Sequence, residues 1–238
     1  MNTTQTSNKG RGPARIVIVG LVWAVVWPSI LGGVLYLTSG EWNWPVAWAY
    51  LILYALILAV GTLIIPREQD FLEERTQIKE NTKSWDRVLA GPAFSVFWFG
   101  IYIAAGLDRR FGWAGEVGLG VQIGAVVVSG LGYLLPVWAM ATNRFYSRYV
   151  RIQTERGHTV VTTGPYQFIR HPGYGGIIVF MLASALALGS LWALIPAGIL
   201  IVTLVVRTAL EDRTLQAELP GYQEYAQRVR YRLLPGVW

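Results

Sequence analysis

PGYGGIIVFMLASALALGSLWALIPAGILIVTLVV, running from Pro172 to Val206, holds no charged residue over 35 positions. A membrane-spanning helix needs about 20 apolar residues, so this run is too long for one helix and suits two short ones. Leu188-Gly189-Ser190 supplies a tight-turn sequence inside it. The run therefore reads as a hairpin, with helices near 174–188 and 191–214. Working outward, four more uncharged runs, 16–40, 42–66, 88–107 and 117–143, fit one spanning helix each. The expected fold is all-α, a polytopic membrane helical bundle of about six transmembrane helices. Pro136 and Pro196 fall inside expected helices and are expected to kink them.

Composition agrees. The 238 residues are 53% hydrophobic and 14% charged, against roughly 25% charged in a soluble domain. Mean hydropathy is +0.40. The first apolar run is longer than a signal peptide's core, and no A-x-A site follows it, so it is read as a retained span. The chain has no cysteine, which removes disulfides and thiol chemistry. Two histidines without cysteine give no basis for a zinc site, and no dinucleotide or phosphate-binding loop is present.

The net charge of +6 is a matter of topology rather than of nucleic-acid binding. With six spans, one side of the membrane holds the N-terminus, 67–87, 144–171 and the C-terminus. Of the 20 lysines and arginines, all but Arg109 and Arg110 fall on that side. The positive-inside rule then places both termini in the cytosol. A single span through 172–206 would break this pattern. Residues 1–15 are polar and are expected to be a disordered cytosolic tail. Residues 16–238 read as one membrane domain, with helices in 16–139 and the chemistry in 140–238. The tryptophans read as interfacial anchors. Gly120-x-x-x-Gly124 reads as a close helix contact. Loop 67–87, with Glu73, Glu74, Arg75 and Lys79 at helical spacing, reads as a solvated helix.

Two polar clusters flank the hairpin run. The first spans His158 to Tyr174 and holds both histidines. Gly164-Pro165-Tyr166 is a turn signal, and Pro172 suits the first turn of a helix. Glycines at 173, 175 and 176 leave room for a ligand or another helix against that turn. In the second cluster Arg207 and Glu211 stand i and i+4 on one helix face, followed by Asp212. Tyr222, Tyr225, Val229 and Arg232 continue at spacings of three and four as a short amphipathic helix, of a kind that lies on membrane surfaces.

These elements together resemble the isoprenylcysteine carboxyl methyltransferase family. The residues that carry the resemblance are Gln153, His158-Thr159-Val160-Val161, Gly164-Pro165-Tyr166, Arg170-His171-Pro172-Gly173-Tyr174, Arg207 with Glu211 and Asp212, Tyr222 with Tyr225, and Leu234-Pro235-Gly236. The likeness covers roughly 140–238. It implies a membrane methyltransferase whose cytosolic pocket, formed by the C-terminal half, binds S-adenosylmethionine and later releases S-adenosylhomocysteine. The cofactor-binding residues it implies are Gln153, His158, Thr159, Val160, Val161, Tyr166, His171, Pro172, Gly173, Tyr174 and Glu211. The catalytic residue it implies is Arg207, acting on a lipid-like or lipidated acceptor such as the carboxylate of a prenylated cysteine. Asp212 stands where the family usually has glutamate, and Leu219-Pro220-Gly221-Tyr222 is one residue shorter than the common form. Phospholipid N-methyltransferases and small-thiol methyltransferases share the R-H-P-x-Y core, so the acceptor stays open between these classes. A non-catalytic membrane scaffold and a reductase of the steroid-reductase type are the readings from other classes.

Overall fold

The computed structural model describes residues 13–65, 79, 81–113 and 115–238 of the chain. Among these, every regular element is helical. In chain order they are α1 (Pro13–Ser39), α2 (Pro45–Ile64), α3 (Ser84–Phe111), α4 (Leu119–Thr142), α5 (Pro172–Ala187), α6 (Leu194–Glu218) and α7 (Tyr222–Arg228). Short 3-10 turns lie at Thr154–Arg156 and Gly164–Gln167. Five helices, α1 to α4 and α6, are long and apolar enough to cross a membrane, and α5 is a shorter apolar helix. The chain is an integral membrane protein built as a helical bundle.

Several boundaries differ from expectation for identifiable reasons. Helix α1 already contains residues 13–15, which were expected in the disordered tail; residues 1–12 lie outside the described residues. Helix α3 starts at Ser84, so 84–87 extend the third span instead of ending a solvated loop, while Glu73, Glu74 and Arg75 lie outside the described residues. Within α3, Leu89–Ala93 form a π turn. Pro92 lacks an N–H and cannot close the ordinary ladder, and such a turn is the local remedy. Between α5 and α6 the chain turns at Gly189, whose φ of +69° suits glycine. Pro196 falls in the first turn of α6, where its missing N–H breaks no helical bond, so it needs no kink.

Helix α5 is the axis of the bundle. At about 1.5 Å per residue its 16 residues reach about 24 Å, short of a ~30 Å hydrocarbon core. Most of its side chains are buried in protein, whereas Ile52, Leu131 and Val202 on its neighbours are more than half exposed, as lipid-facing residues are. Small residues on α5 permit this enclosure. A Cβ on Gly176 would fall 2.5 Å from the Gly132 carbonyl oxygen of α4, and one on Gly132 would fall 2.9 Å from the Phe180 nitrogen. The close helix contact is therefore made here and not at Gly120 and Gly124, where a Cβ would meet nothing within 4 Å. Gly176→Ala must push two backbones apart, at a cost of about 1–3 kcal/mol. The expected result is a lower thermal midpoint in detergent, and an unchanged midpoint would show that α4 and α5 are free to separate.

Polar contacts tie the other helices to this axis. Tyr50 of α2 bonds Tyr102 of α3 at 2.7 Å and Ser184 of α5 at 2.9 Å. Around Phe180 gather the rings of Tyr50, Tyr54, Trp98 and Tyr133. Trp98 and Trp44 are thus core residues, at 5% and 4% exposure, and not interfacial anchors as expected of all the tryptophans. At the end of the bundle away from the termini, buried Asp108 accepts a hydrogen bond from Ser190 Oγ at 2.6 Å, holding the hairpin turn against α3.

Candidate active site

At the basic end of the bundle the segment between α4 and α5 folds back over the helix ends. Its path is set by a few committed side chains. Gln153, 1% exposed, donates from Nε2 to the Phe145 carbonyl at 2.7 Å and accepts from Arg156 Nη1 at 2.5 Å. Its backbone N–H donates to His158 Nδ1 at 3.3 Å, and the His158 ring packs on Phe145. Burial, with Arg151 and Arg156 nearby, pushes the His158 pKa down to about 4. The ring is therefore neutral at pH 7, accepting at Nδ1 with its proton on Nε2. Farther on, Tyr166 is buried in the 3-10 turn, and its hydroxyl accepts from Asn143 Nδ2 at 3.3 Å. Burial raises the Tyr166 pKa, which keeps that hydroxyl protonated.

The second cluster closes against the first through Asp212, which has no exposed surface. Its carboxylate accepts from Arg170 Nη2 at 3.0 Å, Arg232 Nε at 2.9 Å, Tyr222 Oη at 3.0 Å and Gln216 Nε2 at 2.8 Å. His171 Nε2 lies 3.5 Å from the same group. Arg170 Nε is also 2.9 Å from Oδ1, but badly aimed, so it adds charge and no hydrogen bond. The backbone N–H groups of Arg170 and His171 donate to the carbonyls of Tyr231 and Arg232. Tyr225 Oη donates to the Tyr166 carbonyl at 2.7 Å. Helix α7 is thus a wall of the site, with Tyr222 and Tyr225 buried, and does not lie free on a surface as expected.

Two cavities result. The first is enclosed by 143–161, the turn of Tyr166, the first turn of α5, Glu211 and Leu215 of α6, and the tyrosines of α7. Every residue expected to bind the cofactor lines it, from Gln153 and His158–Val161 through Tyr166 and His171–Tyr174 to Glu211. Some of these hold the walls instead of facing a ligand with free polar groups. Gln153 and His171 have their side chains bonded within the protein. Gly173 admits Tyr146, whose hydroxyl would lie 2.6 Å from a Cβ there. Glu211 does not pair with Arg207 across the turn; it accepts from Tyr174 Oη at 2.6 Å.

Arg207 does not line the first cavity. It lines the second, a volume of about 630 Å³ between the basic-end halves of α1, α2, α3, α4 and α6. That is within the ~300–1,000 Å³ range of small-molecule sites. Its walls are mostly apolar, among them Val19, Trp23, Trp27, Leu58 and Phe94. Tyr146, Ser147 and Tyr174 line both cavities and form the partition between them. The Arg207 guanidinium carbon stands 5.1 Å from the centre of the Tyr174 ring.

The partner of Arg207 lies where the sequence pointed to a solvated loop. Arg207 Nε donates to Asp86 Oδ1 at 2.6 Å and Nη2 to Oδ2 at 3.1 Å; Nη2 also meets the Arg148 carbonyl at 2.5 Å. Asp86 has no exposed surface and accepts a further bond from the Val150 backbone N–H at 2.7 Å. It stands just before the π turn of α3. A carboxylate at the end of a span, on the side shared with Arg207, was the available signal. Arg148, Tyr146 and Asn143 were missed as well, and nothing in their spacing marks them.

The fold and site define a polytopic membrane protein with a polar cavity at one end and an apolar cavity inside the bundle, meeting at a tyrosine. Residues 124–217 match the isoprenylcysteine carboxyl methyltransferase family, so this segment is similar to that family. The chain is 29% identical over 115 residues to a probable protein-S-isoprenylcysteine O-methyltransferase of Oryza sativa subsp. indica, covering 45% of this chain and 57% of the relative. It is 30% identical over 102 residues to protein-S-isoprenylcysteine O-methyltransferase B of Arabidopsis thaliana, covering 42% and 52% respectively. The chain thus spans about half the length of the curated relatives it matches. Gln153 to Glu211 fall inside the matched segment; Asp86, Tyr222 and Tyr225 fall outside it.

Proposed function

We propose that the chain is a membrane methyltransferase that uses S-adenosylmethionine to methylate the carboxylate of a prenylated cysteine or a similar lipid-like acid. The observation that carries this reading is the meeting of the two cavities at Tyr174, with Arg207 on the apolar side and Glu211 on the polar side. The basic end is proposed to face the cytosol, which places both termini there. The polar cofactor then reaches its cavity from water, while the apolar acceptor reaches the other from the membrane.

The first cavity suits the proposed methyl donor by its donor set. Tyrosine faces at 146, 166 and 174 attract a desolvated sulfonium cation, by roughly 0.5–2 kcal/mol per contact. The Glu211 carboxylate suits an ammonium or ribose hydroxyls. The cavity measures about 100 Å³ and is partly open to solvent, and Thr159 on its lining is exposed. Bound there, the donor supplies an electrophilic methyl group on sulfur. The chain's own part is alignment, because methyl transfer is an in-line displacement. With the donor held by Glu211 and the tyrosines, a carboxylate oxygen of the acceptor would form the new C–O bond as the C–S bond broke, its electron pair passing to sulfur. The products are a methyl ester and a neutral thioether. The acceptor is already ionised at pH 7, so no general base is needed.

Calorimetry on the purified protein tests the cofactor, and methyl-ester formation on a prenylated cysteine analogue tests the acceptor. Glu211→Ala is expected to weaken cofactor binding by about one to two orders of magnitude, from the loss of a charge-assisted bond of ~1.5–3 kcal/mol. Arg213→Ala, an exposed neighbour, is expected to bind as the parent does. An unchanged dissociation constant in Glu211→Ala would remove Glu211 from the site. Binding of a nicotinamide cofactor instead would favour the reductase reading.

A further inference from the structure

The fork of Arg207 is committed to the protein. Nε and Nη2 face Asp86 and the Arg148 carbonyl, so only Nη1 is left for a ligand. The fully buried Asp86 carboxylate also offsets the Arg207 charge. An acceptor carboxylate at this end of the apolar cavity therefore meets one donor nitrogen on a largely neutralised pair, which is weak recognition for an anion being taken out of water.

A second cation is in place. Arg148 lines the same cavity, and its backbone carbonyl touches Arg207, so the two arginines are neighbours. Its side chain is exposed; among the described residues its one hydrogen bond is long, Nη2 to the Ala90 carbonyl at 3.4 Å, with the guanidinium resting 5.6 Å from the Tyr149 ring centre. Among the described residues lining the cavity, Arg148 and Arg207 are the charged ones, and no described aspartate or glutamate lines it. An apolar volume whose charges, among its described lining residues, are two neighbouring arginines is complementary to a long apolar chain ending in an anion.

We propose that Arg148 is the second arm of the acceptor site, and that the acceptor's carboxylate is held between it and Nη1 of Arg207. This rests on the carboxylate-acceptor reading above and sharpens it. Asp86 fixes one guanidinium rigidly, while Arg148, on the segment between α4 and α5, closes on the acid once its tail has filled the cavity. The arrangement selects against a neutral thiol or an amine, which would leave two cations facing an uncharged or cationic group.

The test compares an S-prenylated N-acetylcysteine with its carboxamide, which carries the same chain without the charge and acts as a competitive inhibitor. Both are assayed in vesicles of zwitterionic phospholipid, so that no lipid anion competes. Arg148→Gln is expected to raise KM for the acid by about tenfold or more, as loss of a charge-assisted bond implies. It is expected to leave the carboxamide inhibition constant and the cofactor dissociation constant unchanged. Arg148→Lys should recover most of the loss, because this arm supplies charge more than fork geometry. Arg87→Gln, exposed on α3 and lining neither cavity, should behave as the parent. Equal weakening of acid and carboxamide in Arg148→Gln, or an unchanged KM for the acid, would overturn the role of Arg148. A parent protein that binds cofactor but forms no ester from the acid would overturn the carboxylate reading itself.

Discussion

Asp86→Ala is expected to abolish turnover and to lower the thermal midpoint sharply, although the residue lies far from the cofactor motifs in sequence. The change strands the Arg207 guanidinium, 6% exposed, without its counter-charge. Breaking one partner of a buried ion pair costs about 3–5 kcal/mol, whereas removing both partners can be nearly neutral. Arg207→Ala should therefore destabilise to a similar degree by stranding Asp86. The double variant Asp86→Ala with Arg207→Ala should recover most of the stability and none of the turnover. That split separates holding the fold from acting on the acceptor. Cofactor affinity is expected to survive in the double variant, because Arg207 does not line the first cavity, the one proposed to hold the cofactor. Arg207→Lys should fail as well, since one ammonium cannot hold both Asp86 oxygens, reach the Arg148 carbonyl and still offer a donor to the acceptor. Thermal unfolding in one detergent, run beside turnover and calorimetry, reads all four variants. A stable, active Asp86→Ala protein would sink the assignment.

The second large effect is expected at Asp212. Asp212→Ala removes the group that gathers Arg170, His171, Tyr222 and Arg232. Arg170 is itself buried, so its charge would be left with only the Ala226 and Val229 carbonyls. The penalty is again about 3–5 kcal/mol, and it falls on one joint, the docking of α7 and the C-terminal segment. Trypsin is expected to cut faster at Arg228, Arg230 and Arg232. Cofactor affinity should fall with it, since Tyr222 and Tyr225 wall the cavity. Unchanged cleavage in Asp212→Ala would show that the segment is held by its backbone pairing with Arg170 and His171 alone. Asp212→Asn keeps the volume and removes the charge, and should lie between the parent and the alanine variant.

Of these two acidic residues, the sequence pattern passed over Asp86 and marked Asp212 only as a member of the second cluster that departs from the family's glutamate. Arg207 was legible because it follows an apolar run and stands in a motif; Asp86 was not, because a charge beside a span most often faces water. The first turn of α3, just before the π turn, meets α6 through the Asp86–Arg207 pair, and nothing in the spacing of neighbouring residues announces such a fit. The tryptophans and the glycine pair erred for a related reason. Trp98 and Trp44 look like anchors by type, and Gly120-x-x-x-Gly124 looks like a contact by spacing. Which helix face meets protein and which meets lipid depends on the partner helix, and both faces are apolar.

The chain's own order of residues determined what depends on local solvent preference. Uncharged runs of a given length must leave water, the 35-residue run must turn once, and all but two of the lysines and arginines then fall on one side. It also determined the cluster from Gln153 to Tyr174 with Glu211, because those side chains share one end of the bundle once six spans are counted. Tertiary structure alone decided that Arg207 opens on a different cavity from the rest, that Tyr174, with Tyr146 and Ser147, divides the two, that Asp86 and Arg148 meet Arg207, and that Asp212 gathers the second cluster. These are pairings between segments up to 121 residues apart. They arise when helices pack and buried charges must find partners, a requirement that acts through space and leaves no period in the sequence.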